Sequence, residues 1–178
     1  MSNLGKWNRS YSRVNLNEIS YGDGLTYLMA AAFLADVEAV EDWGCGVGGF
    51  RRVCLTKYTG LDGSETPYAD KIVDLEAYQS HSPGILVRHV LEHNYNWEQV
   101  LKNAIASFGK KMCLCLFTPF ETSTREIAHN RTSGVDVPDL SFARSDIEQH
   151  LVGVHWTLFD NIQTDTQYKV EHVYLIWR

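Results

Sequence analysis

The chain has 178 residues, 44% of them hydrophobic and 21% charged, with 16 Lys and Arg against 22 Asp and Glu and a formal net charge of −6. That length suits one globular domain whose core needs no disulfide or structural metal. The acidic balance, without a basic run, disfavours nucleic acid or an anionic membrane as partner.

No apolar stretch approaches the roughly 20 residues of a membrane span, and the polar start lacks a signal-peptide core, so the expectation is a soluble, cytoplasmic protein. Cys45, Cys54, Cys113 and Cys115 form no C-x-x-C pair and read as buried small hydrophobes. Residues 1–22 are polar and aromatic, with Trp7, Arg9, Tyr11, Arg13 and Tyr21, and read as an N-terminal arm or lid. Residues 23–178 read as a single domain.

Within it, the Ala- and Leu-rich run 25–34 predicts a helix that starts near Asp23. A strand at 39–43, a glycine turn and a helix at 50–55 follow, then short strands at 58–62, 71–74 and 84–88. Val100, Leu101, Ala104, Ile105 and Phe108 fall on one face of a helix over 97–108. The apolar run 112–117 has the composition of a central strand covered on both faces. Pro119 ends it, and the polar stretch 118–138 reads as a long loop serving as a substrate lid. A helix at 144–151 and strands at 155–159 and 170–177, joined by a polar turn, complete the chain. Strands alternating with helices imply an open, mainly parallel α/β sheet, and the final pair, joined without a helix, implies an antiparallel edge.

Chemistry concentrates in Glu41-Asp42-Trp43-Gly44-Cys45-Gly46-Val47-Gly48-Gly49. Glycines between a strand and a helix let the backbone take positive φ angles and approach a ligand closely. Gly44, Gly46 and Gly49 fit G-x-G-x-x-G, while Asp42, Gly44, Gly46 and Gly48 fit D-x-G-x-G-x-G. The two patterns imply different ligands. A dinucleotide places its pyrophosphate here, and the carboxylates of Glu41 and Asp42 just before the turn would repel it. S-adenosylmethionine carries a sulfonium and an ammonium group, which those carboxylates favour. Asp62, at the end of the next strand, can accept hydrogen bonds from two ribose hydroxyls in either case.

On these residues the sequence resembles the class I S-adenosylmethionine-dependent methyltransferases. Gly60-Leu61-Asp62-Gly63 is similar to the family's ribose-binding strand end, and Val73-Asp74-Leu75 to its adenine-binding one. Leu86-Val87-Arg88-His89-Val90-Leu91-Glu92-His93 is similar to its segment after the fourth strand. The resemblance implies a Rossmann-like, mainly parallel seven-stranded sheet with an antiparallel last strand and helices on both faces. Only 74 − 62 = 12 residues separate the second and third acids, so some helices must be shortened or missing. It further implies that S-adenosylmethionine is held by Asp42, Trp43, Gly44, Cys45, Gly46, Asp62, Gly63, Asp74, Leu75, Arg88 and His89.

For methyl transfer to oxygen or nitrogen of a small or medium-sized acceptor, a base is needed where the acceptor must lose a proton. His89 and His93 are the catalytic candidates, and Tyr11, Arg13 and Tyr21 of the arm the substrate-binding ones. His89-Val90-Leu91-Glu92-His93 also spells H-x-x-E-H, a zinc-peptidase pattern, but it follows a strand rather than lying in a helical site, and no metal is expected. Two alternatives stay open at this point: an NAD-dependent oxidoreductase, and a catalytically silent methyltransferase-like protein that binds a partner.

Overall fold

The computed structural model describes residues 4–13, 24–131 and 134–178. Its centre is a seven-stranded sheet of β1 (Ala39–Trp43), β2 (Lys57–Asp62), β3 (Lys71–Ile72), β4 (Ser82–Arg88), β5 (Phe108–Leu116), β8 (His155–Gln163) and β9 (Val170–Trp177). They run in the order β3-β2-β1-β4-β5-β9-β8. Five adjacent strands pair in parallel and β9 inserts antiparallel between β5 and β8. The antiparallel strand is therefore internal, and β8 forms the edge. Strand order reverses at β1 and β4, and in open α/β sheets ligands bind in the crevice at the carboxyl ends of the strands flanking such a reversal.

Alternation along β4 builds a core on each face. Ile85 and Val87 pack with Trp43, Leu61, Met112 and Tyr174 under α3 (Trp97–Ser107). Leu86 packs with Val40, Phe50, Cys113, Cys115 and Val173 under α2 (Leu25–Phe33). Cys113 and Cys115 are buried and unoxidised, as are the remaining two thiols, Cys45 fully and Cys54 partly buried.

Three expected elements differ. The helix at 50–55 is a single 3-10 turn, Phe50–Arg52. Phe50 is fully buried against Tyr27 and Tyr58, so the chain is pinned where a longer helix would have to continue. The strand expected at 71–74 has only two residues, Lys71–Ile72, and no helix links β2 to it, as the 12-residue spacing implied. The polar stretch 118–138 is not an open loop. Its β6 (Arg125–Asn130) pairs antiparallel with β7 (Val137–Ser141) in a separate two-stranded sheet, which buries all of β7.

Two short α-helices remain, and a 3-10 turn (Gln149–Leu151) extends the second of them in the chain. α4 (Arg144–Glu148) buries Ile147 in the core, and α1 (Asn8–Tyr11) belongs to the arm. No helix among the described residues is long and apolar enough to cross a membrane.

Candidate active site

The glycine turn crosses from β1 towards the Phe50 turn with Gly44, Gly46 and Gly48 at φ of 77°, 52° and 72°, a region that side-chain-bearing residues rarely enter. The amides of Gly44 and Cys45 both donate to the Leu61 carbonyl, at 2.8 and 2.9 Å, so the turn is folded onto the end of β2. A Cβ on Gly44 would lie 2.4 Å from the Val90 side chain, which makes that glycine sterically obligatory. Asp62 completes the cradle. Its carboxylate accepts the Gly46 amide at 2.9 Å and the Ser64 amide at 2.8 Å, and burial pushes its pKa up to about 6 against these donors.

The two acids before the turn face inward. Asp42 is buried, accepts the Tyr58 hydroxyl at 2.9 Å, and has a pKa raised to about 7 by burial. Glu41 accepts Ser80, Tyr78 and the Trp43 indole at 2.7–3.1 Å. Trp43 itself is fully buried in the core. Asp42 and Trp43 thus support the turn from behind rather than line the space before it.

That space is a cavity of about 380 Å³ over the carboxyl ends of the strands. Gly44, Cys45, Gly46, Asp62 and Gly63 form its floor, Val73 and Leu75 one wall, and Arg88, His89 and His93 the opposite end. Asp74 lies beside the wall without lining it; its carboxylate accepts the Glu76 amide at 3.1 Å. The arm forms the roof. Gly5 donates to the Gly63 carbonyl at 2.7 Å, the Trp7 amide to Ser64 Oγ at 2.8 Å, and Asn8 Oδ1 accepts the Glu65 amide at 2.8 Å. Trp7 and Tyr11 line the cavity, Tyr11 next to Gly46. Burial and the nearby Asp62 raise the Tyr11 phenol well above its ordinary pKa. Arg13 is exposed beyond the cavity, and Tyr21 lies outside the described residues.

At the far end the two candidate histidines belong to separate networks. His89, at φ 56°, reaches Glu171 Oε1 at 2.6 Å through Nε2. The same oxygen takes Thr26 at 2.8 Å and Arg88 at 3.0 Å, and the Arg88 guanidinium lies 4.0 Å over the Tyr27 ring. Burial and the Arg88 charge hold His89 neutral, its pKa near 3. Glu171 stays ionised with a pKa of about 2, because His89 and Arg88 outweigh its burial.

His93 instead points Nδ1 at the Pro138 carbonyl, 3.0 Å away, and at Asp139 Oδ1, 3.3 Å away. Asp139 also accepts the Tyr168 hydroxyl at 2.9 Å. Burial lowers the His93 pKa, but Asp139 and the Pro138 carbonyl outweigh it and the net direction is upward. Each imidazole of the H-x-x-E-H segment therefore pairs with its own carboxylate, and the segment is no helix: His89 lies in a bend and only Leu91–His93 form a 3-10 turn. Between the networks, Glu92 is fully buried, accepts the Phe117 amide at 2.6 Å, and has a pKa pushed up to about 7 by burial.

Thr26, Asp139, Gln167, Tyr168 and Glu171 carry no motif, and the sequence did not single them out. The only local signal was Glu171, an acid at the start of an otherwise apolar strand.

Comparison with solved structures decides the architecture. A 1,6-didemethyltoxoflavin-N1-methyltransferase from Burkholderia thailandensis, with its substrate and S-adenosylhomocysteine bound, superposes with a TM-score of 0.61 at 16% identity, over 88% of this chain and 79% of that one. An S-adenosylmethionine-dependent methyltransferase from Mesorhizobium loti gives 0.61 at 13% identity, over 88% and 99%. Magnesium protoporphyrin IX methyltransferase from Synechocystis PCC 6803, with S-adenosylhomocysteine, gives 0.60 at 16% identity, over 88% and 80%. The fold is that of the S-adenosylmethionine-dependent methyltransferases. No protein-family model and no curated protein matches the sequence. Within this methyltransferase fold the glycine turn, Asp62 and both histidines share one crevice at the strand-order reversal.

Proposed function

We propose that the protein transfers a methyl group from S-adenosylmethionine to an oxygen or nitrogen atom of a small acceptor. One observation carries this reading: the positive-φ glycine cradle, the Asp62 carboxylate and two histidines line a single roofed cavity. The residues suit the cofactor. Backbone at Gly44, Cys45 and Gly46 can approach it without a side chain intervening, Asp62 keeps unused acceptor capacity for ribose hydroxyls, and Val73 and Leu75 offer an apolar wall to a flat base.

When bound, S-adenosylmethionine supplies a methyl group on a cationic sulfur that a nucleophile displaces in line. The chain's task is then to position the acceptor, exclude water and, where needed, take a proton. Trp7 and Tyr11 exclude water from above. His89 and His93 stand at the acceptor end, and Arg88 braces the wall through Glu171. Asp42 and Trp43 hold the turn in shape, and Asp74 fixes the backbone across Leu75 through the Glu76 amide. We assign residues 1–22 the role of a lid, with Tyr11 and Tyr21 as its acceptor-side contacts and Arg13, exposed beyond the cavity, not among them, and residues 23–178 that of a single cofactor-binding domain. A cavity of about 380 Å³ is near the lower end of ligand pockets, so cofactor and acceptor together leave room only for a small acceptor.

The test is transfer of label from methyl-labelled S-adenosylmethionine into a fractionated cell extract. Label in the small-molecule fraction, lost with Asp62→Ala, is the expected result. Label only in protein or nucleic acid contradicts the acceptor class. No transfer to any fraction, with the cofactor still bound, favours a catalytically silent binding protein.

A further inference from the structure

We infer that His93, held in register by Asp139, is the group that removes the acceptor's proton, and that the acceptor is a small planar ring bearing an ionisable hydroxyl. The inference rests on the methyltransferase reading and divides the work between the two histidines.

The tautomer follows from the partners. His93 Nδ1 faces two acceptors, the Pro138 carbonyl at 3.0 Å and Asp139 Oδ1 at 3.3 Å. A lone pair there would be repelled by both, so Nδ1 carries the proton and Nε2 carries the lone pair. Nε2 has no hydrogen-bond partner among the described residues, and His93 lines the cavity. His89 is the reverse case, with Nε2 spent on Glu171 at 2.6 Å.

Proton transfer is then simple to balance. The acceptor O–H bond breaks, its electron pair stays on oxygen, and the proton moves to His93 Nε2. Asp139, fixed on its other oxygen by Tyr168 at 2.9 Å, offsets the charge of the imidazolium. The titratable groups facing His93 are Asp139 of β7, Glu92 and His89 of its own segment, and Tyr168 of the β8–β9 turn through Asp139.

Aromatic faces define the ligand's shape. The His93 ring is 5.1 Å from Trp7 and 5.4 Å from Phe117, and all three line the cavity. Flat apolar walls around one proton-accepting nitrogen suit a phenol or an enolic ring better than an aliphatic alcohol, whose hydroxyl is far harder to ionise.

The probe is 4-nitrophenol, whose phenolate absorbs visibly, added to protein saturated with S-adenosylhomocysteine. Bound 4-nitrophenol is expected to ionise at a lower pH than in free solution. His93→Gln should abolish that shift while calorimetry still detects S-adenosylhomocysteine. In parallel, long-range proton–nitrogen NMR of the wild type should show His93 as the Nδ1–H tautomer. Its titration midpoint should fall by about one pH unit or more in Asp139→Asn and recover with Asp139→Glu, which a merely structural role would not produce.

An Nε2–H tautomer at His93, no binding of 4-nitrophenol to the saturated protein, or an ionisation that persists in His93→Gln would each overturn the inference. Absence of S-adenosylhomocysteine binding in the wild type would instead overturn the methyltransferase reading beneath it.

Discussion

Glu171 Oε1 gathers Thr26, Arg88 and His89 within 3.0 Å, and all four side chains sit where β4, β9 and α2 meet. Removing one member of such a buried network leaves the others uncompensated, so Glu171→Ala is expected to cost about 3–5 kcal/mol, read by urea unfolding. The network also sets a pH dependence. His89 ionises near 3 in the folded chain and near ~6.5 when unfolded. Between those values the unfolded state binds a proton that the folded state refuses, so stability falls as pH drops through that window. Glu171, depressed to about 2, adds a further loss below its unfolded value of about 4.3. His89→Gln should therefore lose less stability than the wild type between about pH 7 and about pH 4; equal slopes would show that His89 is charged in the fold. At this scale the cradle was legible and the networks were not. Positive φ at Gly44 and Gly46 is a local demand that glycine announces, whereas His89 and Glu171 lie 82 positions apart and His93 and Pro138 lie 45 apart. Only the fold makes them neighbours.

Elements whose burial repeats along their length could be read from the chain. The run 112–117 became the core of β5, and the apolar face of 97–108 became α3. The segment 50–55 has helical composition, yet Phe50 is anchored in the core and the helix stops after one turn. The polar stretch 118–138 looked like loop because β6 is only half-buried and its alternation is broken by a bulge between Glu126 and Ala128. The glycine turn offers a clean element-level contrast. Gly44 and Gly153 both have positive φ, but a Cβ meets Val90 at 2.4 Å in the first and nothing within 4 Å in the second. Gly153→Ala is expected to cost about 1–2 kcal/mol from backbone strain alone, and Gly44→Ala at least about twice that, once overpacking is added. Comparable denaturant midpoints for the two variants would mean that the turn yields easily to Val90.

Across the whole molecule, the sheet order brings the cradle, Asp62, Leu75, Arg88 and both histidines to one crevice, and the arm closes it by hydrogen bonds to Gly63, Ser64 and Glu65. An acidic chain of −6 net charge has no field to draw in a polyanion, which agrees with a small acceptor reaching a roofed cavity. Order and spacing of motifs made this architecture legible; the acceptor end was not, because it is assembled from the arm, the β6–β7 hairpin and the β8–β9 turn. Deleting residues 1–13 should weaken cofactor binding by about tenfold or more, since Trp7 and Tyr11 leave the roof, as a calorimetric titration would read; undiminished affinity would deny the arm that role. The proposed methyl transfer requires the cradle and Asp62 to hold S-adenosylmethionine. Calorimetric titration of the purified wild type with S-adenosylhomocysteine tests it most directly, with NAD titrated alongside. One-to-one binding of S-adenosylhomocysteine and none of NAD is the predicted result, and binding of NAD without S-adenosylhomocysteine would contradict it.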